Sequence, residues 1–391
     1  MIYKNKDLCK IRTITTFLTL SNDKSTWEEE LLSACSFCES VSKQFNQENY
    51  QVQSIRIVTN AFGEYLDTSS LQKAKDDLSF ISSILKKSTT SLRIRFAIGE
   101  AKTFNEISLL PELISSFGDL ANACVNVNID ENEILDNTLI KESVKAVKKI
   151  SEITPRGEGN FNFTVNFNCK PFIPYFPASY HDSSLENAFV IGLETPDLLV
   201  EVLKDFNQKN PDLSHNIALA SYFNILKEAL SYHCSNIKNI LDRFEEKIEN
   251  KSSFVFKGID SSAAPSKNCS SMVEVYKQMG LNSFGRSGTV EISSLLTKVF
   301  KSVKELPLVG FSGLMLAVVE DEGLAKGTID KDFDVRTLLT NSAICGIGLD
   351  TVPIEGDTPS LKIEQIMRDT GTMAFRLNKP LTVRLFPVPG L

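Results

Sequence analysis

The sequence predicts an α/β chain whose strands close into a ten-stranded β/α barrel, and three observations carry that expectation. Between Phe254 and Pro353, apolar β-rich runs each end in small, hydroxylated or acidic residues: Asp260-Ser261-Ser262, Glu320-Asp321-Glu322-Gly323 and Asp350-Thr351. Helical patterns separate the runs, as in barrels that keep their chemistry at strand ends. Strand candidates recur along the whole chain, ten in all, and closing so wide a sheet removes its edges; an open doubly wound sheet also fits the pattern but leaves them bare.

In order, strand one is 11–20 (IRTITTFLTL), and a helix follows over 27–46 with Glu28, Glu29 and Glu30 in its first turn, where the helix dipole favours carboxylates. Strands two to four are 52–60, 92–100 and 121–130, separated by helices over 66–87 and 105–117. After a helix over 139–153, the run 160–168 (NFNFTVNFN) alternates Phe and Val with Asn and Thr, a half-buried strand signal. A loop rich in proline and aromatics leads to strand six, 188–194, and Thr195-Pro196 opens the next helix in N-cap then N1 order. A helical insertion around 213–250 precedes strand seven, 254–259. Helices over 271–280 and 288–303 lead to strand eight, 314–319; a short helix, 334–341, precedes strand nine, 345–352. A helix over 361–370 and strand ten, 381–386, end the chain as one barrel spanning 1–391. Strand, helix, strand in series predicts parallel pairing throughout.

Composition narrows the function classes. With 42% hydrophobic and 23% charged residues the chain is ordinary globular protein. A net charge of −7 argues against a broad nucleic-acid surface. No apolar stretch approaches the roughly 20 residues of a membrane span. Lys4, Lys6, Lys10 and Arg12 break the N-terminal run, so no signal peptide is expected. Eight scattered cysteines read as free thiols of a cytoplasmic protein, and Cys35 and Cys38, a C-x-x-C inside a helix pattern, as core.

Several stretches together resemble a known family. They are IRTIT at 11–15, DSSAAP at 260–265, GLNSFGRSGT at 280–289, VGFSGLMLAVVEDEG at 309–323 and SAICGIGLDTVPI at 342–354. The chain is similar to the family of unknown function DUF711, also called UPF0210; FPASYH at 176–181 and AFVIGLE at 188–194 are closest to its eukaryotic and actinobacterial branch. The resemblance implies the ten-stranded barrel of pyruvate formate-lyase and anaerobic ribonucleotide reductase. It does not imply their glycyl radical: Gly390 sits between Pro389 and Leu391, outside the Arg-Val-x-Gly-aromatic context of that chemistry.

In a parallel barrel the acids that end strands (Glu100, Asp130, Glu194, Asp260, Glu320 and Asp350) are expected at one rim, where they raise one another's pKa or hold a hard cation. Asp260, Glu320 and Asp350 are the candidate charged groups of a catalytic site. His181, the only histidine in a loop, is the candidate proton carrier. His215 and His233 fall in helical patterns and read as structural. Candidate substrate-binding residues are Arg12, Glu194, Ser261 and Ser262, with Gly285, Ser287, Gly288 and Thr289 of the GRSGT loop, whose free N–H groups at a helix start suit an anion. No zinc-binding motif is present; a divalent cation is the one cofactor the acids leave open. The function expected is therefore acid–base chemistry on a small polar molecule in a central pocket. A non-catalytic sensor using the same pocket, or a homo-oligomer with solvated rims, are the alternatives.

Overall fold

A computed structural model describes residues 1–213, 215–247 and 253–390. Among them are nine strands in a single sheet. They are β1 (Lys10–Leu18), β2 (Ile55–Thr59), β3 (Ile94–Glu100), β4 (Asn122–Val127), β5 (Phe163–Phe167), β6 (Ala188–Glu194), β7 (Val255–Asp260), β8 (Gly348–Glu355) and β9 (Leu381–Val388). The helices are α1 (Trp27–Gln47), α2 (Leu71–Leu85), α3 (Phe104–Phe117), α4 (Asn137–Ile153), α5 (Pro196–Lys209), α6 (His215–Lys247), α7 (Met272–Gln278), α8 (Thr289–Phe300), α9 (Glu322–Ile329), α10 (Val335–Ser342) and α11 (Ser360–Arg376).

The strand order is β7-β6-β1-β2-β3-β4-β5-β9-β8. Strands β1 to β5 pair in parallel, as do β6 with β7 and β8 with β9. The joints β1–β6 and β5–β9 are antiparallel, so the expectation of parallel pairing throughout is corrected. The sheet is two parallel groups running in opposite directions, and strand ends fall at both of its ends.

The tenth strand expected at 314–319 is not formed, and the strand ladder does not close. The segment 307–318 lies across the gap between β7 and β8 with isolated bridges only. Ile259 N–H donates to Pro307 O at 2.9 Å and Val309 N–H returns to Ile259 O at 3.0 Å. On the other side, Val318 N–H donates to Asp350 O at 3.1 Å and Gly346 N–H to Leu314 O at 2.7 Å. Between these contacts Gly310 and Ser312 take positive φ, +62° and +39°, which turns the chain out of strand geometry. Gly313 and Gly346 then meet backbone to backbone, where a Cβ on Gly313 would stand 2.7 Å from the Gly346 Cα.

Two-residue alternation decides what each face carries. Ile55 and Ile57, Phe163, Val165 and Phe167, Phe189, Ile191 and Leu193, and Leu381, Val383 and Leu385 point outward and are buried in the main core with the helices. Many intervening positions are small or polar, among them Arg56, Thr164, Asn166, Gly192, Thr382 and Arg384, while Val58 and Val190 form a separate apolar cluster with Phe17, Ala97 and Ala188. In β5 all five residues are buried, so the alternation expected to mark a solvent face marks the interior instead. Helix α6, expected as an insertion, packs against α1, α5 and α8 and buries Leu226, Leu230, Ile237 and Leu241 in the same core. Residues 214 and 248–250 of that expected insertion lie outside the described residues, as does the side chain of His215.

Candidate functional site

The loop between β5 and β6 enters the inside of the sheet. Ile173, Tyr175 and Ala178 form a small interior cluster with Ala264, Phe311, Met315 and Ile347. Pro174 O accepts from Thr15 Oγ1 at 3.3 Å and from Arg56 Nη1 at 3.1 Å, and Tyr175 Oη donates to Leu193 O at 3.1 Å. These bonds fix the loop against β1, β2 and β6.

Between this loop and strands β8 and β9 lies a cavity of about 50 Å³, whose lining includes Arg12, Arg56, Glu320, Asp350 and Arg384. At roughly 10–15 Å³ per water this is room for a few waters or one small polar group. Arg384 is the hub of its acidic side. Its Nε donates to Asp350 Oδ1 at 2.6 Å and its Nη2 to Glu320 Oε1 at 2.8 Å. Burial pushes the Asp350 carboxyl up, Arg384 pulls it back, and Glu320 adds to the rise. Burial pulls the Arg384 guanidinium down, but Asp350 and Glu320 outweigh it and hold it above its ordinary value. The second oxygen of Asp350, Oδ2, has no hydrogen-bond partner although the residue is buried. In β8 the register skips between Leu349 and Val352 and Thr351 takes φ +48°, a local irregularity of the kind that re-aims a side chain.

On the opposite wall Arg56 is 6% exposed. It stacks on Phe176, with 4.9 Å from the guanidinium carbon to the ring centre, and bonds the Pro174 carbonyl. Its Nε has no partner. Burial, with Arg12 and Arg95 nearby, brings its pKa down to about 9. Arg12 stands beside it and donates to Gln53 Oε1 at 3.0 Å, with Glu194 at 3.8 Å.

Of the residues expected from sequence, the structure brings Arg12, Glu320 and Asp350 together in this cavity, with Glu194 behind Arg12. Glu194 is also held by Lys10 at 3.3 Å and Gln53 at 2.7 Å. Asp260, Ser261 and Ser262 are not in its lining; they grip segment 311–313. Asp260 accepts from Ser262 N, Phe311 N and Ser312 N at 2.8–3.0 Å. Ser262 Oγ accepts from Gly313 N at 3.0 Å, and Ser261 Oγ donates to Phe300 O at 2.7 Å. Burial lifts Asp260 to about 6, against the pull of those amides.

His181 is buried elsewhere, beside Phe17 and Phe172, and neither ring nitrogen has a partner. Burial takes its pKa down to about 4, with Asp182 and Glu64 opposing. Gly285, Ser287, Gly288 and Thr289 are also outside the cavity lining. That loop closes on itself: Thr289 Oγ1 accepts from Gly285 N at 3.1 Å and donates to Arg286 O at 2.6 Å, and Arg286 pairs with Asp332. The expectation of one rim is likewise corrected. Glu100 ends a strand of one parallel group, and Glu194 and Asp260 end strands of the antiparallel group. Asp130 accepts Asn132 and Ile134 N–H groups in a turn.

The sequence reading missed Arg56, Arg384, Thr164 and Tyr175. For the two arginines the signal was present: each is one charge inside an apolar strand, SIRIV and TVRLF. Among the described residues no three His, Cys, Asp or Glu side chains are gathered for a metal, and none of the eight cysteines is bonded to another. No helix among them is long and apolar enough to cross a membrane.

The chain is similar to UPF0210 proteins of Oenococcus oeni (24% identical, over 83% of this chain and 68% of that one) and Neisseria gonorrhoeae (25%, over 68% and 58%). It thus spans a little over half of the Neisseria relative's length. A Pyrobaculum aerophilum UPF0210 protein is 26% identical over 65% of this chain and 56% of its own. Among solved structures it is similar to the anaerobic ribonucleotide reductase from Thermotoga maritima, crystallised with citrate in its active site. That match is 10% identical, covers 96% of this chain and 80% of the other, and has a TM-score of 0.46. The model of the family described as uncharacterised ACR (DUF711) matches residues 1–391, and the chain belongs to that family.

Proposed function

We propose that the protein binds a small polar molecule in the central cavity and acts on it by acid–base chemistry, with Asp350 as the proton-carrying group. The supporting observation is the state of that carboxylate in a residue that lines the cavity: one oxygen is fixed by Arg384, and the other, Oδ2, is buried without a partner. A buried carboxyl whose pKa is raised by desolvation and tempered by a cation has the character of an acid–base group. Arg384 holds its geometry, and Glu320 tempers the charge of Arg384. Thr164 and Thr382 add hydroxyls to the lining, while Phe176, Phe311 and Met315 limit access of water. His181 and Asp260 take no direct part here, since neither lines the cavity.

The test is a metabolite panel. Binding is read as a rise in melting temperature, which any ligand of the native state produces, and turnover is read by mass spectrometry. Asp350→Asn is expected to keep binding within about tenfold while losing turnover by about 100-fold or more. A panel hit unaffected by both Asp350→Asn and Arg56→Gln would place binding elsewhere.

A further inference from the structure

Among the described residues, Arg56 is the cavity arginine that forms no salt bridge, its bonded partner being the Pro174 carbonyl. Glu320, the acid whose charge acts on it, is bound to Arg384 instead. A guanidinium this buried has lost most of its water, and a dry cation without an anion is costly unless something supplies one. The unpartnered Nε belongs to a planar fork that matches the two oxygens of a carboxylate. Phe176 packs on that fork, so the unpartnered edge is held in place. Counting Glu194 behind Arg12, three arginines meet three acids, but Arg12 and Arg384 pair with all of them, which leaves Arg56 without an anion. The volume admits a group of a few heavy atoms.

From the cavity, the stacked guanidinium and its unpartnered Nε, we infer that the ligand is a small carboxylic acid whose carboxylate lies against Arg56. This deepens the reading of the cavity given above and rests on it. Charge separates a carboxylate from phosphate: a monoanion matches the one guanidinium left unpaired, whereas the phosphate dianion brings a second negative charge into a dry site.

The experiment measures the melting temperature of the full chain against sodium acetate and sodium glycolate. Acetamide, glycolamide and inorganic phosphate are run alongside at constant ionic strength. The expected result is a saturable rise with the two carboxylates and none with the amides or phosphate. Arg56→Gln is expected to weaken the carboxylate response about tenfold or more, while Arg286→Gln, on the exposed loop, leaves it unchanged. If Arg56→Gln fails to fold, Arg56→Lys keeps the charge and loses the fork, and it too should lose about tenfold in affinity. An equal response to amides, a response to phosphate alone, or an unchanged carboxylate response in both Arg56 variants overturns the inference. Amide binding that depends on Asp350, without carboxylate binding, overturns this inference and leaves the cavity reading intact; no binding of any probe or panel compound overturns both.

Discussion

Arg384 holds Asp350 across neighbouring strands, Nε to Oδ1 at 2.6 Å, with both residues on the inner face of the sheet. Both are nearly dry, so neither tolerates loss of the other. Arg384→Met is expected to cost about 3–5 kcal/mol, because it strands a buried carboxylate; adding Asp350→Asn should recover part of that loss. Urea denaturation of the two single variants and the double variant measures it. Additive losses would mean that the two side chains do not act as a pair.

Asp260 is expected to be a structural residue. Its carboxylate collects three backbone N–H groups, two of them from the segment that spans β7 and β8. In Asp260→Asn, one oxygen becomes a donor facing a donor, for a loss of about 2–4 kcal/mol. Chemical denaturation gives the loss. Ligand affinity, measured well below the melting temperature, should change by less than about threefold.

Acid should weaken the fold through His181. Its folded pKa, about 4, lies below the ordinary 6.5, so the unfolded chain takes up the proton more readily. The stability it leaves intact is full above pH about 6.5 and is lost progressively as pH falls toward about 4. Histidine 233, also near 4 through burial, acts in the same direction, whereas Asp260, raised to about 6, acts in the opposite one. The clean reading is therefore a difference: His181→Phe, among Phe17 and Phe172, should gain on the wild type by on the order of 1–3 kcal/mol between pH 7 and pH 4.5. Denaturation midpoints at both pH values check it, and a pH-independent difference contradicts the assignment.

The seam between β7 and β8 should be intolerant of a single methyl. Gly313→Ala places a Cβ on the Gly346 backbone, and the neighbour cannot rotate away as a side chain would. A loss of about 1–3 kcal/mol is expected, visible as a fall in melting temperature. Gly313 does not take positive φ, so the loss would come from the contact and not from backbone strain, and a cost below about 0.5 kcal/mol would contradict it.

Nine of the ten expected strands form, because alternating and apolar β-branched runs such as those of β2, β5 and β6 carry their own signal. The run 314–319 has the same composition and is buried, yet it makes bridges in place of a ladder, since Gly310, Ser312 and Gly313 turn the chain just before it. Helix α9 went unseen for a related reason: its eight residues include Gly323 and Gly327, which weaken the periodic signal. Strand direction was beyond local pattern, since nothing in 160–194 marks the loop that brings β6 back antiparallel to β1. That reversal is why the acids do not share a rim. Arg12, Glu320 and Asp350 were legible as polar breaks in apolar runs. Arg56 and Arg384 were legible on the same grounds but were passed over in favour of acids at strand ends.

The most direct measurement is a crystal structure of the protein equilibrated with the compounds that raise its melting temperature. The account predicts an ordered organic molecule within hydrogen-bond distance of both Arg56 Nε and Asp350 Oδ2. A stabilising compound found bound outside the cavity, with those two atoms closed onto protein groups, would contradict it.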